Sequence, residues 1–306
     1  MSARPDFLYI GTSKAGSTWL FRALSWHPQI YVYPGKNLGY FSSRYELGPD
    51  WYLGNFDPGP EHRVTGEVSH SYLVSEDAPA RIHKDFPAIK MIVSLRDPVQ
   101  RTFSDYLDCL KNGKLHGTFE EEIERTPALI NRSRYGAQIE RYLKVFDRKQ
   151  LHIASFDELV AAPERFAAEI FDFLGVDPLP LPAKLGQKVL PAGTPRSELA
   201  VSTAKRLSRL TRRLGLHSIR GKVKISPTIR NMLYRPFDKR PVMKPATEAR
   251  LRNIFSADVR LLDSVAGTSF ASLWGYAPAD SGRAVEVRWA APRAASKNGE
   301  AECRTS

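Results

Sequence analysis

Eight consecutive residues, Gly11-Thr12-Ser13-Lys14-Ala15-Gly16-Ser17-Thr18, bring together one lysine, four hydroxyls and two glycines. The apolar run Phe7–Ile10 precedes them, and a segment of helical period, Ser17–Trp26, follows. A loop between a strand and a helix turns backbone N–H groups toward one point, and the helix N-terminus adds partial positive charge there. Lys14 adds a full charge beside them. The ligand suited to such a loop is a phosphate or a sulfate.

The glycines at 11 and 16 have the spacing of a P-loop, with one departure. A P-loop places lysine directly after its second glycine, where this chain has Ser17. The lysine stands earlier, at Lys14, and no aspartate suited to holding magnesium stands out. The loop therefore reads as an anion grip, and hydrolysis of a nucleoside triphosphate is disfavoured. A metal site is not expected.

A second grip lies in Ser94-Leu95-Arg96-Asp97-Pro98, which closes the β-branched run Ile89–Leu95. Arg96 falls at the carboxyl edge of the sheet, where α/β folds bind ligands, and a guanidinium suits bidentate phosphate recognition. Arg101 and Ser104 follow on the helix opened by Pro98, and Ser104 can face the same phosphate. Two anion grips on one sheet edge favour a nucleotide carrying two separate phosphate groups.

The elements that must position these residues alternate. Strands are predicted at Phe7–Ile10, Ile30–Tyr33, Val64–Val68, Ile89–Leu95 and Leu151–Ala154. Helices are predicted over Ser17–Trp26, Pro98–Leu110, Arg134–Phe146 and Pro163–Leu174, and another begins at the Thr118–Glu121 capping box. That alternation implies an α/β fold, a P-loop-like central parallel sheet flanked by helices. We expect one domain over residues 1–276, with a basic helical segment at about 197–245 and a disordered tail at 277–306.

Composition narrows the partners. Of a net charge of +12, residues 205–244 supply thirteen Lys/Arg against one acidic residue, so the rest is near neutral. Such a block points to an anionic partner. An anionic glycan or lipid fits, and so does peripheral contact with a membrane surface. Nucleic acid is disfavoured, because no fold signature or aromatic platform for it is visible. No apolar run is long enough for a membrane span. The N-terminus lacks the order of a signal peptide. The two distant cysteines, Cys109 and Cys303, argue against a disulfide framework. These features lead to an expected cytoplasmic location.

The segments TSKAGSTWL and IVSLRDPVQRTFSDY together resemble the two signatures of PAPS-dependent sulfotransferases, in the bacterial and heparan-sulfate-type branch. The resemblance covers about Phe7–Trp274. It implies PAPS as sulfuryl donor, PAP as product and no metal. It assigns the donor's 5′-phosphosulfate to Lys14, Ala15, Gly16, Ser17 and Thr18, and its 3′-phosphate to Arg96 and Ser104. Two shorter matches add Tyr135 and Arg196 to the nucleotide site. Lys14 would also stabilise the leaving oxygen. The acceptor would be a hydroxyl on a carbohydrate or small metabolite. A P-loop-type small-molecule kinase and a non-catalytic anion- or nucleotide-binding module are the competing readings.

The acceptor side departs from the branch. Where its members carry glutamate and, two residues on, histidine, this chain has Asn37 and Gly39. An asparagine accepts no proton usefully at neutral pH. Nearby Gly66-Glu67-Val68-Ser69-His70 offers two replacements. Either His70 or Glu67 takes the acceptor proton, or Glu67 anchors a loop and His70 is a hydrogen-bonded buried residue. Lys36 could hold the donor's sulfate or an anionic acceptor.

Overall fold

A computed structural model describes residues 3–185, 194–195, 234–235 and 240–276. Five parallel strands form the central sheet: β1 Phe7–Gly11, β2 Ile30–Val32, β3 Val64–Val68, β4 Lys90–Leu95 and β5 Leu151–Ser155. Their order is β2-β3-β1-β4-β5. Every residue of β1 is buried, as expected of a strand covered on both faces. Its side chains alternate. Leu8 and Ile10 join one apolar cluster with Met91 and Val93, while Phe7 and Tyr9 join the other with Ile92.

Helices cover both faces. Helix α1, Ser17–Trp26, and helix α4, Pro163–Leu174, cover the Phe7 and Tyr9 side through Trp19, Leu20, Phe166 and Ile170. Helices α2, Pro98–Lys111, and α3, Tyr135–Leu143, cover the other side together with the long helix α5, Pro245–Ala266. Asp97 caps α2 by accepting a hydrogen bond from the Gln100 N–H at 2.8 Å, and Pro98 occupies the first turn. Asp258 of α5 caps α3, accepting from the N–H groups of Gly136 and Ala137 at 2.9 and 3.1 Å. A Cβ at residue 136 would collide with the Asp258 carbonyl, so glycine is what lets these two helices meet.

The expected strands and helices are present, with ends moved by a residue or a few. The stretch between β2 and β3 was not assigned from sequence, yet it contains the short helices Tyr40–Ser43 and Gly48–Leu53. Its aromatic residues, not a long period, hold it: Tyr40 stacks on Tyr52 at 4.4 Å. The basic helical segment expected at about 197–245 lies outside the described residues except for 234–235 and 240–245, and the tail at 277–306 lies outside them entirely. Cys109 is buried on α2, and Cys303 lies outside the described residues. No described helix is long and apolar enough to cross a membrane.

β5 is an edge strand, and its His152 packs 5.2 Å from the Phe173 ring. Burial, with a smaller push from the Arg148 charge, lowers the imidazole from 6.5 to about 4. The unfolded chain binds that proton near the ordinary value, so between these two pH values the unfolded state holds more protons than the folded state. Stability should therefore fall as pH drops through that window. Thermal unfolding at pH 7 and pH 5 should show a larger loss in the wild type than in His152→Gln.

Candidate active site

The strand order places the carboxyl ends of β1 and β4 side by side, and the loop after β1 crosses that rim. The loop is sewn to β4. The Thr12 N–H donates to the Ser94 carbonyl at 3.0 Å, and the Ser94 hydroxyl donates to the Ala15 carbonyl at 2.6 Å. The Tyr9 hydroxyl donates to the Thr12 carbonyl at 2.9 Å from below. Gly16 has φ +90°, and a Cβ there would strike Leu159. Glycine is thus required twice over, for the left-handed backbone and for the close approach.

One lysine reaches the start of α1, and a second stands in the loop just before it. Lys36 donates to the hydroxyls of Ser17 and Thr18 at 3.1 and 2.9 Å. Lys14, with φ +70°, leads into the same turn. Cations at a helix N-terminus oppose its dipole. A lysine ammonium on these first-turn hydroxyls makes sense for a site whose ligand is an anion.

Behind the loop stands a buried ionic cluster. Arg101, 1 % exposed, donates to the Ser13 hydroxyl at 2.8 Å and to Ser133 at 3.2 Å, and it pairs with Asp105 at 3.1 Å. Arg132 pairs with the same carboxylate at 3.3 Å. Burial pushes the Asp105 carboxyl up, but Arg101, Arg132 and Lys14 outweigh it and hold the group below its ordinary value. Arg101 was read from sequence as a neighbour of the phosphate grip. Its place is beneath the loop, as a prop.

Arg96 directly follows β4. Its guanidinium lies over the Phe156 ring at 5.0 Å, and that ring also borders Gly16. The arginine and the first loop therefore share one wall. Burial lowers the guanidinium's affinity for its proton, against the charges of Asp157 and Asp97, and it remains charged. Ser104 is half-buried on α2, one turn beyond Arg101. Tyr135 is fully buried and packs on Trp274 with ring centroids 6.3 Å apart, which places it in the layer behind Arg96 instead of on an open surface. Arg196 lies outside the described residues. The preceding pair Thr194–Pro195 runs antiparallel to Tyr234–Arg235 and lies against α2.

This geometry matches a known family. Residues 4–181, more than half of the chain, match the profile described as a sulfotransferase domain. The chain belongs to the sulfotransferase family. The chain is 32 % identical over 181 residues to human heparan sulfate glucosamine 3-O-sulfotransferase 3B1, a match covering 56 % of this chain and 46 % of that one. The mouse 3-O-sulfotransferase 5 is 28 % identical over 188 residues, covering 57 % and 54 %. This sulfotransferase thus spans about half the length of the curated relatives it matches. A solved sulfotransferase from Alicyclobacillus acidocaldarius superposes with a TM-score of 0.64 at 24 % identity, covering 89 % of this chain and 99 % of that one, and shares the fold.

The acceptor-side candidates are closed in. Glu67 is 0 % exposed. Its carboxylate accepts from the hydroxyls of Tyr52 at 3.0 Å, Ser69 at 2.6 Å and Tyr72 at 2.6 Å. Burial raises the carboxyl above its ordinary value, while these three bonds and the Arg44 charge pull it back. Ser69 in turn accepts from the Gly39 N–H at 3.2 Å, which ties the loop after β2 to the end of β3. Both ring nitrogens of His70 are shut off from solvent. Asn37 has φ +61°, a conformation asparagine tolerates and glutamate resists. Asparagine at this position therefore suits the backbone the loop adopts. Sequence reading passed over Asp108, which pairs with Lys14 at 3.1 Å. Its spacing of seven from Arg101 on one helix was the available signal.

Proposed function

We propose that this sulfotransferase moves a sulfuryl group from PAPS to an acceptor hydroxyl, with a carbohydrate as the first acceptor to test. The supporting observation is that Lys36 bonds the first-turn hydroxyls of α1 and Lys14 stands in the loop before it, while Arg96 follows β4, the neighbour of β1. In this reading the start of α1, with Ala15, Gly16, Ser17 and Thr18, holds the 5′-phosphosulfate, and Arg96 with Ser104 holds the 3′-phosphate. When bound, the donor supplies an activated sulfuryl group. The chain's own task is to hold it, neutralise charge on the leaving oxygen through Lys14, and receive the acceptor's proton. Glu67, enclosed by hydroxyls, holds the acceptor-side loop in place. The heparan sulfate named in the matched relatives supports a glycan acceptor, and a lipid or small metabolite would compete with it in the screen. An anionic acceptor or a membrane surface would be served by the basic stretch 205–244.

Calorimetry with PAP and with ATP–magnesium tests the donor side. PAP should bind and ATP–magnesium should bind at least tenfold more weakly. Arg96→Ala should weaken PAP by roughly 10–100-fold, the range of a lost charge-assisted hydrogen bond. Equal binding of ATP–magnesium would instead favour a kinase, and PAP binding without turnover on any acceptor would favour a binding module. Labelled PAPS with a panel of glycan and phenolic acceptors then identifies the acceptor.

A further inference from the structure

We infer that Asp108 is the carboxylate that receives the acceptor's proton. The inference rests on the sulfotransferase reading above. Asp108 lies on the α2 face that runs along the anion loop. Arg101 of that face holds Ser13, and Asp108, two turns on, holds the next loop residue, Lys14, at 3.1 Å. Two other carboxylates near the loop are committed. Asp105 is 2 % exposed and shared by Arg101 and Arg132. Glu67 is sealed by three hydroxyls. Asp108 differs from both: its side chain is 42 % exposed, and that of Lys14 is 27 % exposed. A pair this open is weak and exchanges readily. An anionic donor draws the ammonium of Lys14 toward itself, and the carboxylate is then left beside the sulfuryl group with a free lone pair.

The step balances. The acceptor oxygen forms a bond to sulfur as the bond from sulfur to the donor's phosphate oxygen breaks. That electron pair stays on the phosphate, next to Lys14. The hydroxyl proton passes to a carboxylate oxygen of Asp108.

Water can serve as the acceptor, so the test needs no identified substrate. Release of PAP from PAPS in buffer is followed over hours for the wild type, Asp108→Asn, Asp108→Glu and His70→Ala, with PAP affinity measured for each. We expect Asp108→Asn to slow release at least tenfold, to flatten the acid limb of the pH profile, and to leave PAP affinity within threefold. Asp108→Glu should keep most of the rate, and His70→Ala should stay within threefold of wild type. A rate that is unchanged or faster in Asp108→Asn overturns the inference, since it makes the carboxylate only a latch on Lys14. An equal loss in Asp108→Glu also overturns it. PAP binding without release above the buffer rate overturns it too, and leaves the donor-site reading standing. No PAP binding by the wild type sinks both.

Discussion

Lys14→Ala should lower sulfuryl transfer by about 10²–10³-fold, the cost of removing one preorganised donor aimed at developing negative charge, or about 3–4 kcal/mol of barrier. The residue opens the turn into α1 with φ +70° and already sits in an ion pair, so its ammonium is held at the rim of the sheet. Lys36 stays in place through its bonds to Ser17 and Thr18. PAP should therefore still bind, several-fold more weakly. Single-turnover transfer from labelled PAPS separates the two effects. A variant that binds PAP as the wild type does and also turns over within threefold would remove Lys14 from the chemistry.

Arg101→Leu should be the most damaging single change to stability among the charged residues of the site. It removes the inner partner of Asp105 and leaves the hydroxyls of Ser13 and Ser133 without their donor, with Asp105 and Ser133 buried and Ser13 partly so. Breaking a buried pair costs about 3–5 kcal/mol, and in a protein of this size that lowers the melting temperature by roughly 10 °C. Arg101→Lys keeps the charge but cannot reach Ser13, Ser133 and Asp105 together, because an ammonium lacks the guanidinium's fork. It should recover part of the stability and little of the donor affinity. A loss below ~1 kcal/mol for Arg101→Leu would mean that Arg132 alone satisfies Asp105.

Much of this protein was legible along the chain because the signals are local. Phe7–Gly11 is an unbroken apolar run and becomes the central strand. Ile89–Leu95 predicted its neighbour, and Pro98 marked the first turn of α2 as it does in the structure. The strand–loop–helix unit around Gly11–Thr18 was readable from glycine, lysine and hydroxyl spacing, since a turn into a helix start is set by nearest neighbours in sequence. The acceptor side was not readable in that way. Glu67 and His70 stand beside an exposed-looking turn in sequence, yet three hydroxyls, two from tyrosines up to fifteen residues away, close around Glu67. Nothing in a linear pattern reports burial by partners drawn from separate elements. Asp108 was passed over for the same reason. Lys14 and Asp108 are ninety-four residues apart and meet only because β1 and β4 are neighbours in the sheet. Spacing alone determined the strand-loop-helix units and the charge each carries. The sheet order decided which charges face one another, because an ion pair depends on distance in space, and only the packed fold sets that distance.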